Sequence, residues 1–354
     1  MSFVIEKRRT GHPYWMYDTL QTQPAVAADL LANGWDQAAA AATCLADCER
    51  IFLVGIGSSL HAAQAGAAWL CQLTGVDARA VASLDFCLYG PVLRPGDGVM
   101  MISHGGGGGY TREALSLVRK AGLSAVVVTG RDSAMPPATV TLTTSPAEVC
   151  RCHTAGYSAP LIVLLQVATA MAEIRQVPLP AEWAHHLATL PAVLTNQLGL
   201  DAPMQAWAAD LLRARSVMVV GAGLHQATAD EVALKMQEAV QRPVLAMTIE
   251  SLAHGPMAAL QDGDLVVSVI PDNARAMERQ LAVSLGLAEL TIPVWGVSSG
   301  DRRLAPHALP EVFGPITHLI PMQLLTYWAA VGAGVDPDWN RLGDPGHAAA
   351  KTHY

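Results

Sequence analysis

Glu231, Lys235 and Glu238 stand in the run DEVALKMQEAV, spaced i, i+4 and i+7 along a helical pattern, so all three share one face of a helix. His254 follows Glu238 by sixteen residues, in AHGPM, where the Gly-Pro pair fixes a turn and gives the imidazole a defined exit point. A carboxylate and a histidine are the side chains best suited to moving protons at neutral pH. The same three charges also fit a solvated salt-bridge face. They interrupt an apolar run just after a glycine turn, and both readings stay open.

A second set of residues suits anion binding. Gly55-Ile56-Gly57-Ser58-Ser59 follows an apolar strand pattern and opens a helical one. Such a turn offers unpaired N–H groups and the positive end of a helix dipole, to which Ser58 and Ser59 add hydroxyls. A dinucleotide fingerprint would need a third glycine and a distal acidic residue, and neither is evident. The run Ser103-His104-Gly105-Gly106-Gly107-Gly108-Gly109-Tyr110-Thr111 has the same strand-to-helix setting. Five glycines carry a large entropy cost, and a simple turn does not need them. Successive backbone N–H groups there could form an anion nest; a flexible linker is the plainer alternative.

These residues need a scaffold that brings strand ends and helix starts together. Short apolar runs at 51–54, 80–82, 98–102 and 124–128 read as strands, with helical patterns at 60–73 and 111–121 between them. The pattern repeats, with strands at 216–220, 264–270 and 292–297 and helices at 224–240, 274–287 and 322–332. Each half opens with an apolar strand, Gly-x-Gly and a helix, which marks an internal repeat. Apolar strands joined by helices predict α/β architecture with a parallel sheet in each half. The expected division is a helical arm (1–45), a first α/β domain (46–180), a connecting helix (181–198), a second α/β domain (199–342) and a tail (343–354).

The 354-residue length and 51% apolar content allow two full cores. A net charge of −8 argues against nucleic acid as a partner. The N-terminus lacks the apolar stretch of a signal peptide, and the apolar segment 159–172 is short for a bilayer, so a cytoplasmic protein without membrane contact is expected. Six cysteines without paired zinc spacing predict ordinary thiols, including Cys150 and Cys152, and no metal site.

In these motifs the chain resembles the SIS (sugar isomerase) family of amino-sugar-phosphate isomerases and deaminases, in particular the isomerase half of glucosamine-6-phosphate synthase. GIGSSLHAA is similar to the family's G-x-G-[ST]-S-x-x-A-A turn, EVALKMQE to its E-x-A-L-K-x-K-E helix, and His254-Gly255-Pro256 falls at its H-G-P spacing. Gln23-Pro24, QLLTYWAA and Gly334-Val335-Asp336-Pro337-Asp338 resemble its entry helix, late helix and closing loop. The resemblance implies two tandem SIS domains and a sugar-phosphate substrate, with no cofactor. It implies phosphate contacts from Ser59 and Ser103, to which the turn and nest readings add Gly57, Ser58, His104, Gly105, Gly106, Gly108 and Thr111 as candidates. It implies proton transfer between C1 and C2 by Glu238, beside Lys235, and ring opening by His254 from a neighbouring subunit of a homodimer. Lys351 falls near the family's Schiff-base lysine.

The glycine run departs from the family's S-Q-S-G-E-T-x-D-T loop: His104 stands at Gln, and Gly105 and Gly108 stand at the hydroxyl-bearing positions. In E-x-x-V-A-x-T-K, Glu148 and Thr154 match while Ala155 replaces Lys. No Cys follows Met1 and no glutaminase domain precedes these motifs, so glutamine-driven synthesis is not expected of this chain alone. The expected activity is isomerisation or deamination of an amino sugar 6-phosphate. The alternatives are a fructosamine-6-phosphate-type deglycase and a non-catalytic sugar-phosphate sensor.

Overall fold

A computed structural model describes residues 8–297 and 309–353. The beginning of the arm, before Arg8, and the final Tyr354 lie outside the described residues. Two helices form the arm, α1 (Trp15–Asn33) and α2 (Trp35–Leu45). The first half then runs β1 (Arg50–Gly55), α3 (Ser58–Thr74), β2 (Asp77–Ala82), α4 (Ser83–Leu88), β3 (Asp97–Ser103), α5 (Gly109–Lys120), β4 (Ser124–Thr129), β5 (Val140–Thr143) and α6 (Ala155–Ile174). Next come α7 (Trp183–Leu198) and α8 (Asp201–Arg213). The second half runs β6 (Val217–Gly221), α9 (Leu224–Val240), β7 (Val244–Thr248), α10 (Ile249–Ala253), β8 (Leu265–Val269), α11 (Ala274–Glu289), β9 (Val294–Val297), α12 (Gly314–Thr317) and α13 (Leu319–Gly332). The tail carries α14 (Pro345–Ala350).

Both sheets are parallel throughout, in the orders β2-β1-β3-β4-β5 and β7-β6-β8-β9. The order is the same in the two halves apart from the extra β5. Strand order reverses beside β1 and beside β6, and crevices that bind ligands open at the carboxyl ends of strands at such points. The Gly-x-Gly turns lie at both of these ends. The strands are covered on two sides, which is why they read as continuous apolar runs. One large core joins the inner helices of both halves, and each sheet has a smaller core on its outer face. Full burial of each large apolar side chain contributes roughly 1.5–3 kcal/mol.

Several elements differ from the sequence reading. β2 begins three residues earlier than its apolar run, because its first half alternates exposed and buried positions at a sheet edge. β5 and β7 are short edge strands flanked by Pro136-Pro137 and Pro243, whose punctuation hides them. α8 carries Pro203 at its third residue, within the first turn, where the missing N–H breaks no helical bond. The apolar segment around 159–172 extends into a 20-residue helix, α6, long and apolar enough to cross a membrane by length and composition. Its whole apolar stretch is buried inside the protein, packed against α1, α2 and α3.

The arm is tied to the far end of the chain. Asp338 is fully buried and accepts from the first two N–H groups of α1, Trp15 N at 3.0 Å and Met16 N at 2.8 Å. Gln23 Nε2 donates to Gln323 Oε1 of α13 at 2.7 Å, across 300 residues of sequence and out of solvent. Losing a helix cap typically costs about 0.5–2 kcal/mol, and here the donors are also buried. Asp338→Ala is expected to lower stability by about 2 kcal/mol in urea unfolding, and Asp338→Asn by less. An unchanged midpoint in Asp338→Ala would show that the arm does not depend on this cap.

Candidate active site

The two Gly-x-Gly turns are built alike. At Gly55 a Cβ would lie 2.5 Å from the Ser59 carbonyl, and at Gly221 it would lie 2.3 Å from the His225 carbonyl. The helix therefore presses directly on the strand end in each half. Gly57 (φ 55°, ψ −132°) and Gly223 (φ 56°, ψ −126°) share a backbone conformation that side chains rarely adopt. Ser58 and Ser59 open α3 at the first of these turns. The Ser58 hydroxyl is engaged in a contact between the halves, donating to Glu231 Oε1 of α9 at 2.9 Å.

Glu231 is buried and also meets His61 Nδ1 at 2.7 Å and Lys235 Nζ at 3.6 Å. Lys235, equally buried, bonds the Glu238 carboxylate one turn further on. Burial by itself would lower the lysine's pKa, but Glu231 and then Glu238 outweigh it and raise it, so Lys235 stays a cation. Burial likewise favours the neutral form of Glu231; Lys235, His61 and Ser58 reverse this and pull its pKa down. These charges are therefore an internal wall between the halves and not a solvated face. Only Glu238 of the three retains partial exposure, 24% of its side chain.

In the first half, β3 ends at the buried Ser103, whose carbonyl accepts from Thr129 Oγ1 at 2.7 Å. The glycine run is pinned along one side. Arg112 donates from Nε to the Gly106 carbonyl at 2.6 Å and from Nη2 to the Ala134 carbonyl at 3.0 Å. Gly106 is left-handed (φ 66°), and a Cβ there would lie 2.2 Å from Met135 N. The fold thus requires glycine at 106. Around Gly105, Gly107 and Gly109 a Cβ would meet nothing within 4 Å, and at Gly108 it would approach only the buried Thr111, at 3.3 Å. Internal packing explains one of the five glycines; the others leave backbone bare to open space at the start of α5.

His104 turns inward from this loop. Its ring packs on His153 edge to face, centroids 5.3 Å apart, and neither ring nitrogen has a hydrogen-bond partner. Burial, then His153, lowers its pKa, which keeps the ring neutral. His153 Nδ1 lies 3.4 Å from Glu148 Oε2. Glu148 accepts from the N–H of Thr154 at 3.0 Å and from that of Gly156, and so caps α6. Next to it, Cys152 is wholly buried; burial pushes its thiol up, and the charges of Lys235, Glu238, Glu231 and Glu148 all act on it. Segment 148–153 therefore touches the glycine run through His153 and His104 and lies within reach of the α9 charges at Cys152. All six cysteines are free, and no group of three His, Cys, Asp or Glu side chains among the described residues could hold a metal.

Glu238 also borders an open groove of about 450 Å³, with Gln241, Arg242, Asn340, Arg341 and His347 among its walls. Neither the glycine loop nor segment 148–153 contributes a residue to the walls of this groove. His254 is not brought to Glu238 within the chain. It is 69% exposed and paired with Glu250 Oε1 at 2.7 Å, and Arg279 holds Glu250 in turn. The groove reaches the start of β7, whereas His254 lies six residues past its end, and five strand residues alone span about 13 Å. Lys351 is exposed in the tail, and no described contact joins it to Glu238; His347, four residues earlier, does reach the groove. Sequence reasoning missed His61, His153, Asn340 and Arg341. His61 had a signal, lying three residues after Ser58 on the same helical face, and His153 had one in Cys152-His153 beside Glu148.

The neutral His104 sets a pH dependence. Its folded pKa lies below the unfolded value of 6.5, so the unfolded chain binds the extra proton first. Stability from this group is intact above pH 6.5 and is lost as pH falls through the folded pKa. The melting temperature is expected to drop below pH 6.5, and His104→Gln should flatten that part of the profile. Equal slopes in the two proteins would refute this role.

The SIS domain model matches this chain twice, over residues 44–170 and 210–333. The chain is 28% identical over 92% of its length to the glutamine–fructose-6-phosphate aminotransferase (isomerizing) of Acidithiobacillus ferridurans, covering 57% of that protein. It spans about half the length of the curated relatives it matches. Among solved structures, it superposes on the C-terminal domain of glucosamine-fructose-6-phosphate aminotransferase from Francisella tularensis with a TM-score of 0.83 at 18% identity, covering 94% of this chain and 100% of that one. Glucosamine-6-phosphate deaminase from Thermotoga maritima gives a TM-score of 0.76 at 17% identity, covering 92% and 95%. With two tandem parallel sheets, a repeated Gly-x-Gly turn and two matches to the same domain, this chain belongs to the SIS domain family.

Proposed function

We propose that this protein is a phosphosugar isomerase or deaminase acting on an amino sugar 6-phosphate by proton transfer between C1 and C2 of the open-chain sugar. The observation that carries the reading is the buried Lys235 cation. Anchored by Glu231, it holds the partly exposed Glu238 carboxylate in place, and Cys152, next to the His153 on which His104 of the glycine run packs, lies within reach of these charges. A carboxylate positioned this way can take a proton from one carbon and return it to the next. The phosphate is assigned to the N–H groups of the glycine loop and to Ser59 and Ser103, at the starts of α5 and α3. Backbone donors there stand in for the hydroxyls absent at Gly105 and Gly108.

His254 is assigned to ring opening in a partner subunit of a homodimer. Its exposure and its distance from Glu238 in the same chain support that role. Lys351 is assigned to Schiff-base formation when the tail folds further over the groove. Lys235 is excluded from that task, because its two carboxylates keep it protonated and a lysine must be neutral to attack a carbonyl. A deglycase reading has its own support in the room around Gly105, Gly107 and Gly109 and in the groove beside Glu238. The reading as a whole is of a cytoplasmic enzyme.

The wild-type protein is expected to release ammonia or ketose from at least one member of a panel of amino sugar 6-phosphates and their N-substituted ketose forms. Glu238→Gln should lower that turnover by about 10²–10⁴-fold at a temperature where both proteins are folded. It should also lower the melting temperature, because it removes one of the two carboxylates that compensate the buried Lys235. Full activity in Glu238→Gln, or no turnover of any panel member, overturns the proposal.

A further inference from the structure

The two halves repeat the same crevice in backbone and fill it differently. A Cβ at Gly55 would meet the Ser59 carbonyl and one at Gly221 the His225 carbonyl, so Ser59 and His225 hold the same place at the start of their helices. β3 lies beside β1 as β8 lies beside β6. The loop after β8, which carries Asp272 and Asn273, is therefore the counterpart of the glycine loop after β3. In the first half that loop leaves backbone open at Gly105, Gly107 and Gly109. In the second half a carboxylate of the chain reaches both places. Glu311 opens a short turn of 3-10 helix ahead of α12, and its Oε1 lies 3.5 Å from His225 Nε2. His225 acts first in pulling the Glu311 pKa down; burial opposes this, and the backbone N–H groups of Asn273 and Asp272 add to the fall.

The carboxylate is built in, with anchors on the residues that follow it. The Val312 carbonyl accepts from Trp69 Nε1 of α3 at 2.8 Å. Phe313 packs on Trp183 with ring centroids 5.1 Å apart. Gly314 passes so close to His225 that a Cβ there would lie 2.3 Å from its Cε1. His225 is itself buried, its ring stacked on that of His318 with centroids 5.0 Å apart. Val312, Phe313 and Gly314 thus fix the backbone from which Glu311 projects, at the positive end of the 17-residue helix α9. The start of such a helix beside a strand end favours an anion, and here the chain supplies its own.

We propose that Glu311 is an internal ligand of the second half: its carboxylate occupies the place that the repeated turn would otherwise offer to a phosphate group, and so confines anion binding to the first half. Removing that carboxylate uncovers a second site for phosphate and its monoesters, with His225 and the N–H groups of Asp272 and Asn273 as donors. The assignment is independent of the roles of Glu238 and His254, and of whether the glycine loop binds phosphate.

The test counts phosphate sites. Inorganic phosphate and glucosamine 6-phosphate are titrated calorimetrically into wild type, Glu311→Ala, Glu311→Ser and the double variant Glu311→Ala with His225→Leu. Melting temperatures are read in phosphate and in chloride at matched ionic strength. Both single variants should bind one more phosphate per chain than wild type. Because a ligand of the native state raises stability, phosphate should also restore part of the melting temperature that each substitution removes, beyond its effect on wild type. The double variant should lose the added site and the rescue, which separates a bound anion from the general stabilising effect of phosphate. Equal site numbers in wild type and both single variants, or an added site that survives His225→Leu, overturns the proposal. Absence of phosphate binding by wild type would refute the glycine-loop assignment instead, and an added site in Glu311→Ala would still uphold the role of Glu311.

Discussion

The structure depends on neutralising one buried ammonium group. Lys235 is out of solvent on α9, and an unpaired charge there would be untenable. Glu231 and Glu238 compensate it, and Glu231 in turn needs donors for its own buried oxygens. Those donors, Ser58 and His61, belong to the other half of the chain. Removing one partner from such a set typically costs about 3–5 kcal/mol, because it strands the rest. The network therefore does more than add stability: it fixes α9 against α3 and sets where Glu238 stands relative to the glycine loop.

The glycine loop solves a different problem. A side-chain phosphate site carries hydroxyls at set positions; this loop carries bare backbone, pinned at Gly106 and by Arg112. Under the proposed assignment of the phosphate to this loop, rigid backbone N–H groups would need no side-chain ordering when the anion binds, and they would leave volume for a larger ligand. The inward turn of His104 onto His153, with the buried Glu148 carboxylate behind, goes with burial that keeps the His104 ring neutral.

The ends of the chain complete the arrangement. Asp338 and Gln323 hold the arm, and the loop after Asp338 supplies Asn340 and Arg341 to the groove. The motifs at Gln23-Pro24 and Gly334–Asp338 thus act through architecture, and their contribution to the site is indirect. By contrast, His254 is displayed away from its own Glu238 and paired with Glu250, a placement that the proposed homodimer accounts for.

Much of the fold was legible in the sequence. Local propensity and period decide where α9 begins and ends and where the central strands β1, β3, β4 and β6 lie, and these signals sit within single segments. The repeated Gly-x-Gly also read correctly, because a strand end pressed by a helix tolerates no Cβ whatever else surrounds it. The edge strands β5 and β7 were hidden, since half-exposed strands lose the apolar run that marks a buried one. The spacing of Glu231, Lys235 and Glu238 placed them on one face, but a helical face has no address until something packs on it. Whether that face met water or Ser58 and His61 is a question about residues more than a hundred positions apart. Sequence alone determined the repeated α/β halves and which candidate side chains were on offer. Only the tertiary structure decided which of those side chains share a low-dielectric space, because burial and long-range pairing, and not residue type, set their charge and their reach.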